Sequence, residues 1–273
     1  PDTPKKTDKS AWRNMGRMSK EQLDAWFAHY EPLDKEFHDA NLEGDDLIRW
    51  KYQRYAKNYL RCVKGVDESV GQLRTLLKQL NLSDNTVFIY SSDQGFYIGD
   101  HGWYDKRWMY EESLRMPLII SWPGVTSPGS KNHHLVQNLD YAQTFLDLAG
   151  ARQPADMQGL SLFPLLKGQK PENWRTSIYY HYYEYPSVHM VPRHYGIRTD
   201  RYKLMHFYEF DQWEFYDLEE DPEELTNLYK SPSHQGNILS VRQKLRDLQN
   251  FYDDSSATAP KPQEWQDKYW TTD

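Results

Sequence analysis

Apolar residues recur at intervals of three to five along the stretch from Leu47 to Leu80, through Trp50, Tyr55, Tyr59, Val63, Val66, Val70, Leu73, Leu76 and Leu77. Such a stripe predicts one long amphipathic helix over about 46–80, with Gly65 or Gly71 as a possible break and the charges of Asp67 and Glu68 on its wet face. Upstream, Ser19 followed three residues later by Gln22 has the form of a capping box, which predicts a helix from about Lys20 to Tyr30. A second helix is expected from Pro32 to Asn41, with Trp26, Phe27 and Phe37 as core rather than ligand-binding residues. Pro1 to Arg17 is polar, has no period and reads as a loop.

The period changes after Asn85. Thr86 to Tyr90 is a short apolar run of strand length that breaks at Ser91-Ser92-Asp93-Gln94-Gly95, and a second apolar run at Pro117 to Trp122 closes a polar loop. Helix followed by strand is the order of a doubly wound sheet, in which ligands collect at the carboxyl edge of the strands. Leu139 to Gly150 has helical period and a glycine stop, with Asp140 read as a cap rather than a catalyst. From about Pro171 the pattern becomes short aromatic strands, Ser177–Glu184, His194–Thr199, Arg201–Phe207 and Trp213–Leu218, then a helix over Asn237–Tyr252. The expected architecture is therefore α/β: a partial sheet flanked by helices over 1–170, followed by a small α+β subdomain with an antiparallel sheet over 171–273.

Composition narrows the function classes. The formal net charge of −7 over 273 residues disfavours a general nucleic-acid footprint. No run of the sequence has the apolar length of a membrane span. A single cysteine, Cys62, provides no disulfide framework. Tyr (21) and Trp (10) are abundant enough to stack on sugar faces, and they serve ordinary packing equally well.

The loop between the two apolar runs holds the chemistry. Asp93 and Gln94 offer carboxylate and amide oxygen, the donors that Ca²⁺ or Mg²⁺ takes in preference to Zn²⁺. Lys106 offers a compact cation for a sulfate or phosphate oxygen, and Arg107 a planar fork for hydroxyls or carboxylates. Read from these residues alone, Asp-Gln-Gly is also a good turn and Asp105-Lys106 a plausible solvated pair.

The ordered matches Ser92-Asp93-Gln94-Gly95, Gly99-Asp100-His101-Gly102, Lys106, Tyr110-Glu111-Glu112-Ser113-Leu114-Arg115-Met116-Pro117 and Pro123-Gly124 resemble the downstream signature of the type I sulfatases of the alkaline-phosphatase-like superfamily. Tyr195-Gly196-Ile197-Arg198-Thr199 and Glu214 to Glu224 resemble the C-terminal subdomain of the same enzymes. More narrowly, the chain is similar to bacterial N-acetylglucosamine-6-sulfatases acting on host glycans. The resemblance implies that Asp93 and Gln94 ligate an active-site Ca²⁺, with Mg²⁺ the lesser expectation, and that Lys106 holds the sulfate. It further implies that Asp105 and Arg107 touch sugar hydroxyls and that a C-terminal histidine, His194 ahead of His189, reaches the sugar. Periplasmic or secreted localisation and a sulfated-carbohydrate substrate belong to the same expectation.

Type I sulfatases attack sulfur with a formylglycine made from a Cys or Ser in a Cys/Ser-x-Pro/Ala-x-Arg segment. Cys62 lies in Leu-Arg-Cys-Val-Lys-Gly and does not match, and the N-terminal Asp-Asp metal ligands are absent as well. The chain is thus expected to be the C-terminal part of a longer or split enzyme, inactive alone, whose other half supplies the formylglycine. Two alternatives stay open: a phosphatase or phosphodiesterase of the same superfamily, disfavoured because two Zn²⁺ ions would want further Asp and His ligands, and a non-catalytic sugar-binding fragment.

Overall fold

The computed structural model describes residues 18–185, 187 and 189–254; the loop expected at Pro1 to Arg17 lies outside them. The structure divides into two compact units, 1–69 and 70–273. In the first, helix α1 (Lys20–Ala40) opens with the expected capping box: Gln22 N donates to Ser19 Oγ at 3.2 Å, and Ser19 N donates to Gln22 Oε1 at 2.8 Å. The two expected helices are one, running through Pro32 and stopping at Asn41 in the left-handed region (φ 43°). A proline inside a helix removes one backbone donor without always ending it. Helix α2 (Gly44–Gln79) is continuous, and neither Gly65 nor Gly71 breaks it. Arg54 on α2 pairs with Asp34 on α1 at 3.0 Å, and the rings of Phe37 and Trp50 stand 4.6 Å apart.

In the second unit β1 (Phe88–Ser91) is followed by a single helical turn, α3 (Glu111–Leu114), and β2 (Leu118–Ser121). The expected crossover sheet is corrected here. β1 and β2 pair antiparallel, Phe88 opposite Ser121 and Ser91 opposite Leu118, so the loop 92–117 leaves and re-enters at one edge. Helix α4 (Asp140–Leu148) is tied to that edge by Tyr141, whose hydroxyl lies 2.6 Å from Ser91 Oγ. Asp140 is a structural anchor rather than the expected cap, since it is the first residue of the helix and the cap position is Leu139. Fully buried, it is paired with Arg175 and accepts from Gln137 N at 2.8 Å and Leu160 N at 2.7 Å. A second single turn, α5 (Phe163–Leu166), follows.

The remaining strands β3 (Ser177–Tyr182), β4 (His194–Thr199), β5 (Tyr202–Phe207) and β6 (Gln212–Asp217) form an antiparallel meander in sequence order. Alternation decides what each face meets. Ile197, Leu204 and Phe215 pack on Ile238, Val241 and Leu245 of helix α6 (Gln235–Phe251). Met205, Phe207 and Tyr216, pointing the other way, pack on Tyr97, Met109 and Tyr110 of the signature loop. At roughly 1.5–3 kcal/mol per large apolar side chain, this second core fixes the loop to the sheet. Gly196 permits the contact, because a Cβ there would stand 2.5 Å from Met109 Sδ and 2.4 Å from the Leu204 carbonyl oxygen. An ion cluster reinforces it: buried Lys203 Nζ lies 2.9 Å from Glu111 and 2.7 Å from Glu224, with Arg198 3.3 Å from Glu111.

Candidate functional site

Asp93 lies two residues beyond the end of β1 and is exposed, with Gln94 half-buried behind it. The turn is locked locally, Ser92 Oγ donating to the Gln94 carbonyl at 2.8 Å and Gln94 N to Asp93 Oδ1 at 3.1 Å. Gly95 is required at the next position, since a Cβ would come within 1.9 Å of the Glu112 carbonyl oxygen.

Two contacts bring the lysine segment alongside this turn. Gly95 N donates to the Ser113 carbonyl at 2.7 Å, while the hydroxyl of the same Ser113 donates to the Lys106 carbonyl. One pair of residues further along, Tyr97 N donates to the Asp105 carbonyl at 2.8 Å. Asp93-Gln94 and Asp105-Lys106-Arg107 therefore flank one another, with buried Ser113 as the shared tether. Among the described residues, no hydrogen bond or ion pair holds the Lys106 ammonium or the Gln94 side-chain amide. Both are polar groups with their bonding capacity uncommitted.

Asp105 pairs with Arg107 rather than with Lys106. Arg107 also meets His189, its guanidinium nitrogen 2.8 Å from Nε2, and Tyr180 donates its hydroxyl to the Arg107 carbonyl at 2.8 Å. Glu184, not singled out from sequence, accepts from the Tyr182 hydroxyl at 3.0 Å; that bond, with the charge of Arg107, holds its carboxyl below the usual range. The run Ser177 to Glu184 was legible as strand, although the strand stops at Tyr182, and nothing in it marked Glu184 as a neighbour of a loop so distant in sequence.

His194 corrects its expected place ahead of His189. It is fully buried among Trp108, Tyr180, Tyr182 and Phe207, with Nδ1 2.8 Å from the Pro192 carbonyl oxygen. Burial pushes its imidazole down to about 4. A side chain enclosed by four rings supports the loop from below, whereas the exposed His189 stands beside Arg107. His101 takes a left-handed turn conformation (φ 52°), stacks on Tyr110 at 4.5 Å and lies 3.5 Å from Glu112.

A hard, oxygen-ligated cation fits the residues at the strand end in chemistry though not in number. One exposed carboxylate and one uncommitted amide supply two oxygens where Ca²⁺ takes six to eight. Among the described residues no cluster of three or more His, Cys, Asp or Glu side chains is arranged to hold a metal.

Two family profiles match this arrangement of an α/β strand-end loop docked on an antiparallel sheet: Sulfatase over residues 7–151 and N-sulphoglucosamine sulphohydrolase, C-terminal, over residues 99–251. The chain belongs to the sulfatase family, and its fold is that of the alkaline-phosphatase-like sulfatases. Among its relatives, the N-acetylglucosamine-6-O-sulfatase of Bacteroides thetaiotaomicron is 46% identical over 242 residues, which is 88% of this chain and 43% of the relative. The arylsulfatase of Clostridium perfringens is 29% identical, covering 80% of this chain and 45% of its own length. A solved structure of a protein in complex with its substrate D-glucosamine-2-N,6-O-disulfate superposes with a TM-score of 0.84 at 43% identity, covering 93% of this chain and 52% of that one. The chain thus spans about half the length of the relatives it matches. No helix among the described residues is long and apolar enough to cross a membrane.

Proposed function

We propose that this chain forms the substrate-holding part of a periplasmic or secreted sulfuric ester hydrolase that removes sulfate from glucosamine-type sugars in host glycans. The observation that supports the reading is the Ser113 tether, which holds the backbone of Lys106 and of Gly95, next to the Asp93-Gln94 turn, on one residue. Lys106 binds a sulfate oxygen and offsets the negative charge that grows there as the ester S–O bond breaks, which is electrostatic rather than acid–base work. Asp93 and Gln94 hold a divalent cation, Ca²⁺ by their hard oxygen donors. When bound, that ion withdraws charge from the same sulfate. Arg107, oriented by Asp105 and His189, presents its remaining N–H donors to sugar hydroxyls.

The attacking formylglycine is assigned to the part of a full-length sulfatase that this chain lacks, since no Cys/Ser-x-Pro/Ala-x-Arg segment occurs in it. The test joins that part of the B. thetaiotaomicron relative to this chain, with formylglycine maturation, and follows sulfate release from D-glucosamine-2-N,6-O-disulfate. Release that Lys106→Ala slows at least 100-fold supports the reading; release indifferent to Lys106 overturns it.

A further inference from the structure

Asp254, just past the end of α6, is a carboxylate shared by side chains of β3 and its continuation. Its Oδ2 accepts from the hydroxyls of Tyr179 at 2.6 Å and Tyr183 at 2.9 Å, and it lies 2.7 Å from His181 Nδ1. The other imidazole nitrogen, Nε2, is 3.1 Å from the Tyr208 hydroxyl. His181 is thus held at both nitrogens, and its side chain is buried. The ring of Tyr183 lies on that imidazole, centroids 3.8 Å apart and planes 29° from parallel, yet Tyr183 is 57% exposed. One face of the ring is backed, and among the described residues no second ring stands against the other. Phe210 and Phe251 are comparably exposed but have no hydroxyl through which their orientation could be fixed. A tyrosine held before its ligand arrives gives up little conformational freedom on binding.

The contacts of Lys106, Arg107 and His189 make no use of this ring, although it stands beside them in the chain. β3 is the edge strand of its sheet and ends at Tyr182. Tyr180 and Tyr182 face the signature loop, Tyr180 holding the Arg107 carbonyl, whereas His181 and Tyr183 take the alternate side. The neighbours of Tyr183, Tyr182 and Glu184, hydrogen-bond to each other at 3.0 Å, and the Arg107 charge acts on Glu184.

We propose that Tyr183 is a stacking platform for a second sugar of the glycan, the one linked to the sulfated glucosamine held at Arg107. The occupant is argued from chemistry and continuity. A fixed ring with one face covered and its hydroxyl committed offers a flat, uncharged apolar surface, which suits the C–H face of a pyranose. It lies at the free end of the edge strand, so a glycan leaving the Arg107–His189 site over that strand end runs onto it. The proposal rests on the functional reading above and extends it from one sugar to two.

In the completed enzyme, KM for D-glucosamine-2-N,6-O-disulfate is compared with KM for tetrasaccharides carrying that residue at the non-reducing or at the reducing end. At least one tetrasaccharide should have a KM lower by about tenfold, an advantage that Tyr183→Ala removes and Tyr183→Phe keeps. Should Tyr183→Ala lower the urea midpoint, Tyr183→Leu, which still covers His181 but has no aromatic face, is read in its place. Independently of any sulfate chemistry, the 273-residue chain is mixed with an unsulfated N-acetylglucosamine tetrasaccharide and followed by saturation-transfer NMR. Transfer to sugar C–H protons should be lost in Tyr183→Ala and kept in Tyr183→Phe.

A Tyr183→Ala effect equal for the monosaccharide and the tetrasaccharides overturns the proposal, since it reports a change in the site itself. So does tetrasaccharide contact that is missing or indifferent to Tyr183. Self-association of the chain that Tyr183→Ala abolishes gives the ring to a second copy and overturns it as well. Sulfate release indifferent to Lys106, with Tyr183-dependent contact intact, removes the functional reading and keeps the platform. Release that needs Lys106 but ignores chain length removes the platform alone.

Discussion

Arg107 and His189 lie 82 positions apart in sequence, yet a guanidinium nitrogen of one stands 2.8 Å from Nε2 of the other. Because a guanidinium has only N–H donors, the imidazole nitrogen facing it serves as the acceptor. The pair joins the strand-end loop to the β3–β4 connection. It leaves part of the guanidinium edge for a ligand.

In the completed enzyme, His189→Ala should raise KM for D-glucosamine-2-N,6-O-disulfate about tenfold with a smaller change in kcat, the pattern of lost ground-state binding. Arg107→Lys should do the same, because an ammonium cannot reproduce the planar fork. Steady-state kinetics over a range of substrate concentration separates the two constants, and a change confined to kcat would count against a binding role.

Asp93→Ala should abolish tight divalent-metal retention in the completed enzyme, measured by elemental analysis after gel filtration. Prolonged chelation of the unmodified enzyme should likewise remove activity, and added Ca²⁺ should restore it. Full metal content in the variant would remove Asp93 from the ligand set.

Burial holds His194 neutral, with its titration lowered from 6.5 to about 4. A histidine that binds its proton less readily in the folded chain contributes stability that is complete above the unfolded value near 6.5 and is lost as pH falls from there toward 4. Linkage puts the loss at about 2 kcal/mol between pH 7.5 and pH 5. His194→Phe should flatten that slope relative to the unmodified chain in urea unfolding, and an unaltered slope would show that the ring titrates in the fold as it does in the unfolded chain. His181 and His206, both lowered first by burial, keep their share in both proteins.

Lys203→Met should destabilise the second unit by about 3–5 kcal/mol, since it leaves the Glu111 and Glu224 carboxyls in the interior without their ammonium. Burial raises both acids. For Glu111 the Lys203 and Arg198 charges prevail and lower it, whereas for Glu224 burial prevails. Adding Glu224→Gln to the lysine variant should recover part of the loss, read as a shift of the urea midpoint.

Much of this arrangement could be read from residue order. The later strands fall within a few residues of where alternation and turn residues put them, because period two and aromatic runs bounded by Asp, Gly and Pro are local signals. The pairing of β1 with β2 was not legible: helix-then-strand order points to a crossover, and the partner strand arrives only after the intervening loop. Lys203 was equally opaque, since a lysine in an alternating strand reads as solvent-facing until its acids from residues 111 and 224 are brought to it. Asp93, Gln94, Lys106 and Arg107 were singled out by residue type as candidates, and their roles came from the resemblance to the sulfatases rather than from spacing. Ser113, which holds the two segments together, carries no chemistry that a sequence would advertise.

The lysine buried between loop and sheet has a practical corollary for anyone recombining these enzymes. A chimera that swaps residues 92–117 without β4–β6 would set an unmatched cation or orphaned acids at the seam, however well the apolar surfaces agreed. Specificity transplants in this family should therefore move both pieces as one cassette.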